Sequence, residues 1–219
     1  MSSLLRNEPN ICVSVAPRTA REATVLLGEA DSSSANYIEL RLDGLHDDPT
    51  SLKSTMKSLS KPLVLTYHDD PTLSLGSKIT PNQLRELIGY AEYVDTEVEP
   101  PQDSNAKRIR SKHVWHSISI EQAEMLVNEA WKSGCEIVKL AFKAQSFADN
   151  ITALKLTSKL RVPNIIFCMG ELGVVSRVLA PLYGSAWTYA SLRAGLETAP
   201  GQVDVQTLRE FYQALRGSS

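Results

Sequence analysis

The run CEIVKLAFKA, Cys135–Ala144, is apolar enough for a buried strand and yet carries a lysine in its middle. Side chains alternate faces along a strand, so Val138, Leu140 and Phe142 share one face while Lys139, Ala141 and Lys143 share the other. The apolar face asks for a layer of helices. The other face must then look into an interior that tolerates an ammonium group.

Runs of the same kind recur along the chain, each followed by a helical pattern. They are ICVSVA (11–16), YIELRLD (37–43), PLVLTYH (62–68), YVDTEVE (93–99), HVWHSIS (113–119), IVKLAFK (137–143), NIIFCMG (164–170) and AWTYASL (186–192). Between them, apolar residues return every three or four positions, as in Met125, Leu126, Ala130 and Trp131. Thr80-Pro81 is a helix start and Gly134 a helix stop. Strands alternating with helices predict parallel strands joined by crossover helices. Eight units predict a single-domain (β/α)₈ TIM barrel over residues 1–219, a compact form of a fold that usually takes about 250 residues. A doubly wound open sheet is the alternative. It usually shows a glycine-rich turn after its first strand, and VSVAPRTARE has none.

Composition narrows the function classes. With 23 Lys+Arg against 25 Asp+Glu the formal net charge is −2, which gives no electrostatic footprint for nucleic acid or an anionic membrane. No apolar run is long enough to span a bilayer, and MSSLLRNEPN lacks a signal-peptide core. Cys12, Cys135 and Cys168 are scattered and odd in number, as expected of buried thiols in a reducing, cytoplasmic setting rather than a disulfide frame or a zinc site.

The same alternation places charge inside the predicted barrel. Glu39, Arg41 and Asp43 fall together opposite Ile38, Leu40 and Leu42. Asp95, Glu97 and Glu99 share a face of the fourth strand, although Val94, Thr96 and Val98 leave its direction open. His116 alternates with Val114 and Ile118 in the predicted fifth strand. Barrel interiors are normally filled by branched apolar side chains, and buried charges are costly unless paired. An ion-pair cluster that closes the barrel is one reading of these residues. The other is an active site at the strand C-termini, with Lys139 and His116 as its reactive pair. A lysine there, lowered in pKa by burial and by Arg41 or Lys143, attacks a ketone to form an imine, an electron sink that acidifies the adjacent C–H. Histidine is the fitting proton carrier. His113 and His46 read as surface or structural histidines, and Lys143 as either a second pocket cation or a salt-bridge partner.

The ordered set IELRLD, HVWHSIS, IVKLAFK, CMGELGVVSRVLAPLYGSAWTYA and TAPGQ resembles the type I 3-dehydroquinate dehydratase family, over about Cys12 to Leu215. The resemblance implies a (β/α)₈ barrel of the shikimate pathway that dehydrates 3-dehydroquinate through a lysine imine, without metal or organic cofactor, as a cytoplasmic homodimer. Carried over, Lys139 is the imine-forming lysine and His116 the general acid and base. Glu39 and Arg41 contact substrate hydroxyls, Ser14 lines the pocket and Arg177 binds the substrate carboxylate. Met169 and Tyr189 are pocket walls, with Phe167 where relatives often have methionine. Gln202 belongs to the last loop, and Thr198 stands where many relatives carry serine.

Two departures stand out. His68 takes the place of a substrate-contacting arginine at the end of the third strand. The following loop, DDPTLSLGSKIT, has no counterpart of the family's glutamate, unless Asp69 or Asp70 serves. Two rival readings go with these residues. One is a lysine-imine aldolase using the MGELG turn for phosphate, which Glu171 would repel. The other is a non-catalytic relative, against which both Lys139 and His116 argue.

Overall fold

Apolar strands that need covering on one face, and helices with one apolar side, pack here as alternating layers. The structure is a computed structural model, and it describes residues 8–68, 76, 79–96 and 104–217. The strands are β1 (Ile11–Val15), β2 (Tyr37–Arg41), β3 (Leu63–Tyr67), β4 (Tyr93–Thr96), β5 (Lys107–Val114), β6 (Ile137–Lys143), β7 (Asn164–Met169) and β8 (Thr188–Ser191). The helices are α1 (Ala20–Ser32), α2 (Lys53–Ser58), α3 (Pro81–Ile88), α4 (Ile120–Lys132), α5 (Ala148–Lys159), α6 (Val174–Leu179) and α7 (Val205–Gly217). All strand pairings are parallel, in the order β7-β6-β5-β4-β3-β2-β1-β8. The Ala186 N–H donates to the Asn164 carbonyl at 2.9 Å, drawing the start of β8 towards β7. The result is the expected (β/α)₈ barrel, nearly closed.

Local signals work as the residue types require. Thr80 and Gln83 form a reciprocal capping box at α3, with Pro81 in its first turn. Ser119 and Gln122 do the same at α4. Gly134, at φ +77°, takes the left-handed conformation that ends α4 and turns the chain into β6.

The core has distinct layers. Val138, Leu140 and Phe142 face outward and pack with Ala123 and Val127 of α4 and with Ala153 and Leu156 of α5. Inside the barrel, at the N-terminal end of the strands, Cys12, Val64, Ile109, Ile137, Ile165 and Trp187 form a dry floor. Trp187 is 1% exposed, stacks on Tyr37 at 4.8 Å between centroids and meets the edge of Tyr93 at 5.3 Å. The apolar filling typical of a barrel is thus confined to one end, and the charged residues occupy the other. The three thiols are free; Cys12 and Cys168 lie in strands, whereas Cys135 precedes β6.

The fifth strand corrects the sequence expectation. It runs over 107–114, not 113–119, because its outward side chains are cations rather than apolar groups. Lys112 Nζ pairs with Glu129 of α4 at 3.1 Å, and Arg110 Nε donates to Ser133 Oγ at 3.2 Å. Long side chains of this kind cover apolar surface with their stems while their charged ends reach water. The more apolar HVWHSIS is mainly the loop that leads into α4.

Because Trp187 fills the floor, Trp187→Ala should cost about 3–5 kcal/mol of stability in urea unfolding. A loss well below 1 kcal/mol would contradict a tightly packed floor.

Candidate active site

Above the aromatic floor, the C-terminal ends of the strands surround a cavity of about 540 Å³. Glu39, Arg41, His68, His113, Lys139 and Tyr189 are among its walls, as are Met169, Arg177, Thr198 and Gln202. β6 projects Lys139, Ala141 and Lys143 into it, as the alternation of IVKLAFK requires. Ala141, small and central on that face, leaves room between the two lysines.

Lys139 is 6% exposed, and its Nζ donates to Asp95 Oδ2 on β4 at 2.8 Å. Ser111 of β5, in register with Lys139, donates to the same oxygen at 2.7 Å. The Lys139 ammonium also lies 4.7 Å from the centre of the Tyr189 ring. Burial works against the ammonium, but the Asp95 and Glu39 carboxylates outweigh it, and the pKa lies above the ordinary 10.5. This reverses the expectation of a lowered lysine, since the cationic influence of Arg41 is smaller than that of the two carboxylates. Burial opposes ionisation of Asp95 too, yet the Lys139 ammonium holds it well below the usual carboxylate range, with a smaller contribution from His68 when its imidazole carries a proton. The two residues form a buried ion pair at the heart of the barrel.

A second network surrounds Glu39. Its carboxylate accepts from Thr66 Oγ1 at 2.8 Å and from Ser14 Oγ. Ser14 in turn accepts from Thr198 Oγ1 at 2.9 Å, so it lies behind the cavity wall and ties β1 to the last loop. Arg41 is clamped by Asp43, 2.6 Å between Nη2 and Oδ2. Gln202 Oε1 accepts from the Thr198 backbone at 2.8 Å, tying together the 198–202 segment that lines the cavity. Gly201 is required there: a Cβ would meet the Gly170 carbonyl oxygen at 2.4 Å.

Arg177 reaches the cavity through a tight β7–α6 connection. Gly173 admits no Cβ, which would lie 2.3 Å from the Cys168 carbonyl oxygen. Ser176 Oγ accepts from the Cys168 N–H and donates to the Gly173 carbonyl, both at 2.9 Å. The Arg177 guanidinium lies over the Phe167 ring at 4.3 Å. Its Nε has no hydrogen-bond partner among the described residues, and burial pushes its pKa down to about 10. A buried cation with an open donor face suits an incoming carboxylate.

The histidines are exchanged relative to the sequence expectation. His116 lies beyond the end of β5, exposed, in a separate surface hollow with Gln122, Met125 and Glu129. His113 is the histidine that faces the cavity, since Ile109, Ser111 and His113 form the inward face of β5. Burial, followed by the charge of Lys139, lowers its pKa to about 3, so it is neutral. Its ring meets the edge of His68 at 5.7 Å. Ser111 escapes the sequence reading because it lies outside the predicted strand, and Asp95, noted on a strand whose direction the sequence leaves open, is not singled out there as the lysine's partner. Asp69, Asp70, Glu97 and Glu99 lie outside the described residues. Among the described residues no cluster of His, Cys, Asp and Glu could hold a metal ion, and no helix is long and apolar enough to cross a membrane.

The family model for type I 3-dehydroquinase matches residues 11–219. The chain belongs to the type I 3-dehydroquinase family. With that family it belongs to the hydro-lyases. It is 30% identical over 213 residues to the 3-dehydroquinate dehydratase of Methanothermobacter thermautotrophicus, covering 92% of this chain and 95% of that protein. It is 28% identical to a bifunctional chloroplastic 3-dehydroquinate dehydratase/shikimate dehydrogenase of Arabidopsis thaliana, of which it spans 38%. The crystal structure of 3-dehydroquinate dehydratase from Geobacillus kaustophilus superposes with a TM-score of 0.83 at 23% identity, over 97% of this chain and 93% of that one, in agreement on the type I 3-dehydroquinase barrel.

The ion pair has a definite pH window. Lys139, raised, contributes stability below its unfolded pKa of about 10.4 that is lost as pH rises through the higher folded value. Asp95, lowered, contributes above about pH 3.9 and loses its share as pH falls through the lower folded value. Asp95→Asn should therefore cost about 3–5 kcal/mol in urea unfolding at neutral pH, because it leaves the Lys139 ammonium buried without its partner. A variant as stable as wild type would refute that account.

Proposed function

We propose that this chain dehydrates 3-dehydroquinate to 3-dehydroshikimate and water, with Lys139 as the imine-forming nucleophile and His113 as the proton carrier. One observation carries the reading: a buried lysine amine and a neutral histidine face the same cavity from adjacent strands, in a chain of the type I 3-dehydroquinase family.

Arg177 supplies the cation for the substrate carboxylate, and its open Nε supports that role. Glu39 and Arg41, held by their own networks, present polar edges to hydroxyl groups. The neutral Lys139 amine attacks the C3 ketone, and loss of water from the carbinolamine leaves a protonated imine. Asp95 then faces an iminium where it faced an ammonium, so the buried negative charge keeps a positive partner. His113 removes a C2 proton, and the electron pair moves into the iminium to give a neutral enamine. The positive charge passes from nitrogen to imidazole, and the net charge of the site is unchanged. That constancy matters in a buried site, where creating new charge is expensive. His113 returns the proton to the departing C1 hydroxyl, the iminium re-forms, and water releases the product.

Borohydride reduction in the presence of 3-dehydroquinate should attach a substrate-derived mass to Lys139, and Lys139→Ala should show neither adduct nor turnover. His113→Ala should slow turnover roughly 10²–10⁴-fold. His116→Ala should turn over at nearly the wild-type rate. The reverse ranking of the two histidine variants would return the proton carrier to His116.

A further inference from the structure

A raised lysine pKa poses a problem for any reaction that needs the free amine: the ammonium must lose a proton inside a cavity that the substrate will fill. Lys139 is 6% exposed, so bulk water has little access to it. Neighbouring groups among the described residues can be tested as a place for that proton. Glu39 already accepts from Thr66 and Ser14. Among the described residues no hydrogen bond or ion pair joins His113 to Asp95, and His113 is needed at the substrate carbon. Arg41 is bound to Asp43, and its guanidinium, already protonated, cannot accept another proton.

The carboxylate of Asp95 offers another route. Its Oδ2 is occupied by Lys139 and Ser111, at 2.8 and 2.7 Å. Its Oδ1 is buried and accepts no hydrogen bond among the described residues. Facing that oxygen, at 3.7 Å, is Nε2 of His68, itself 4% exposed. One carboxylate therefore lies between the lysine ammonium and an imidazole, each addressed by a different oxygen.

We propose that His68 takes up the proton that Lys139 sheds, with Asp95 as the anion shared by both. This rests on the reading of Lys139 as nucleophile. In the step, one N–H bond of the Lys139 ammonium breaks and an N–H bond forms at His68 Nε2, while Asp95 is a carboxylate before and after. The trio keeps the same net charge, and the freed amine acquires the lone pair it needs to attack. Imidazole is the side chain whose ordinary pKa lets it hold or release a proton near neutrality. His68 is a positioning residue in this scheme, because it acts on the substrate through Lys139. Among the described residues, the ionisable groups around the cavity with it include Glu39 and Arg41 from β2, Asp95 from β4, His113 from β5 and Lys139 from β6.

The test is the pH dependence of imine formation, followed as the rate of borohydride-trapped Lys139 adduct by intact-protein mass spectrometry with 3-dehydroquinate. Wild type, His68→Gln and His68→Asn are compared from about pH 5 to 10, with a melting curve for each. The wild-type rate should level off above the histidine range. In both variants the rate at neutral pH should fall by about 10–10²-fold and climb about tenfold per pH unit towards the lysine range. A folded variant that keeps the wild-type profile, or loses a constant factor at every pH, overturns the proposal. Absence of any adduct in wild type removes Lys139 as nucleophile, and the proposal with it; that failure is recognised by a missing profile rather than an unshifted one.

Discussion

The buried pair between Lys139 and Asp95 is the constraint around which the upper half of this barrel is arranged. Two charges removed from water are stabilised only if each finds the other and the remaining donors and acceptors are satisfied. Hence Ser111 donates to the Asp95 oxygen already engaged by Lys139, His68 faces the free one, and the Tyr189 ring underlies the ammonium. Five strands, β3 to β6 and β8, contribute to this cluster or end beside it, so the geometry of the pair depends on barrel closure. A lysine held in this way is aimed and kept charged until something removes its proton.

The rest of the interior divides by polarity. At the N-terminal end, Trp187, Tyr37 and Tyr93 seal the barrel with aromatic area. Further up, Glu39 and Arg177 are held by groups from other elements, and Arg41 by Asp43, two residues along the same run. The floor buries apolar and aromatic area that the charged half lacks. Arg177 is a buried cation over a phenylalanine ring with an open donor, an arrangement that an anion beside it would relieve.

Much of this was legible in residue order. The alternation in IVKLAFK assigned Lys139 and Lys143 to one face and Phe142 to the other, and both faces are where period two requires them. The same rule assigned Glu39 and Arg41 to the cavity. It failed at β5, whose outward face is built from Arg108, Arg110 and Lys112 instead of apolar residues. Without an apolar face to mark it, the strand was sought six residues too late, in a run whose hydrophobicity belongs to a loop. That shift exchanged His113 for His116.

The sequence by itself determined the class of fold, because eight strand-and-helix units with one apolar face each have few ways to bury it. It also determined which strand carries the lysine and which residues share its face, since both follow from neighbours in the chain. The tertiary structure alone decided which histidine enters the cavity, which carboxylate holds the lysine, and the direction in which its pKa moves. Those properties arise from groups on different strands brought within a few ångströms, and electrostatic interaction in a buried site depends on that separation and on burial, neither of which is written in the order of residues.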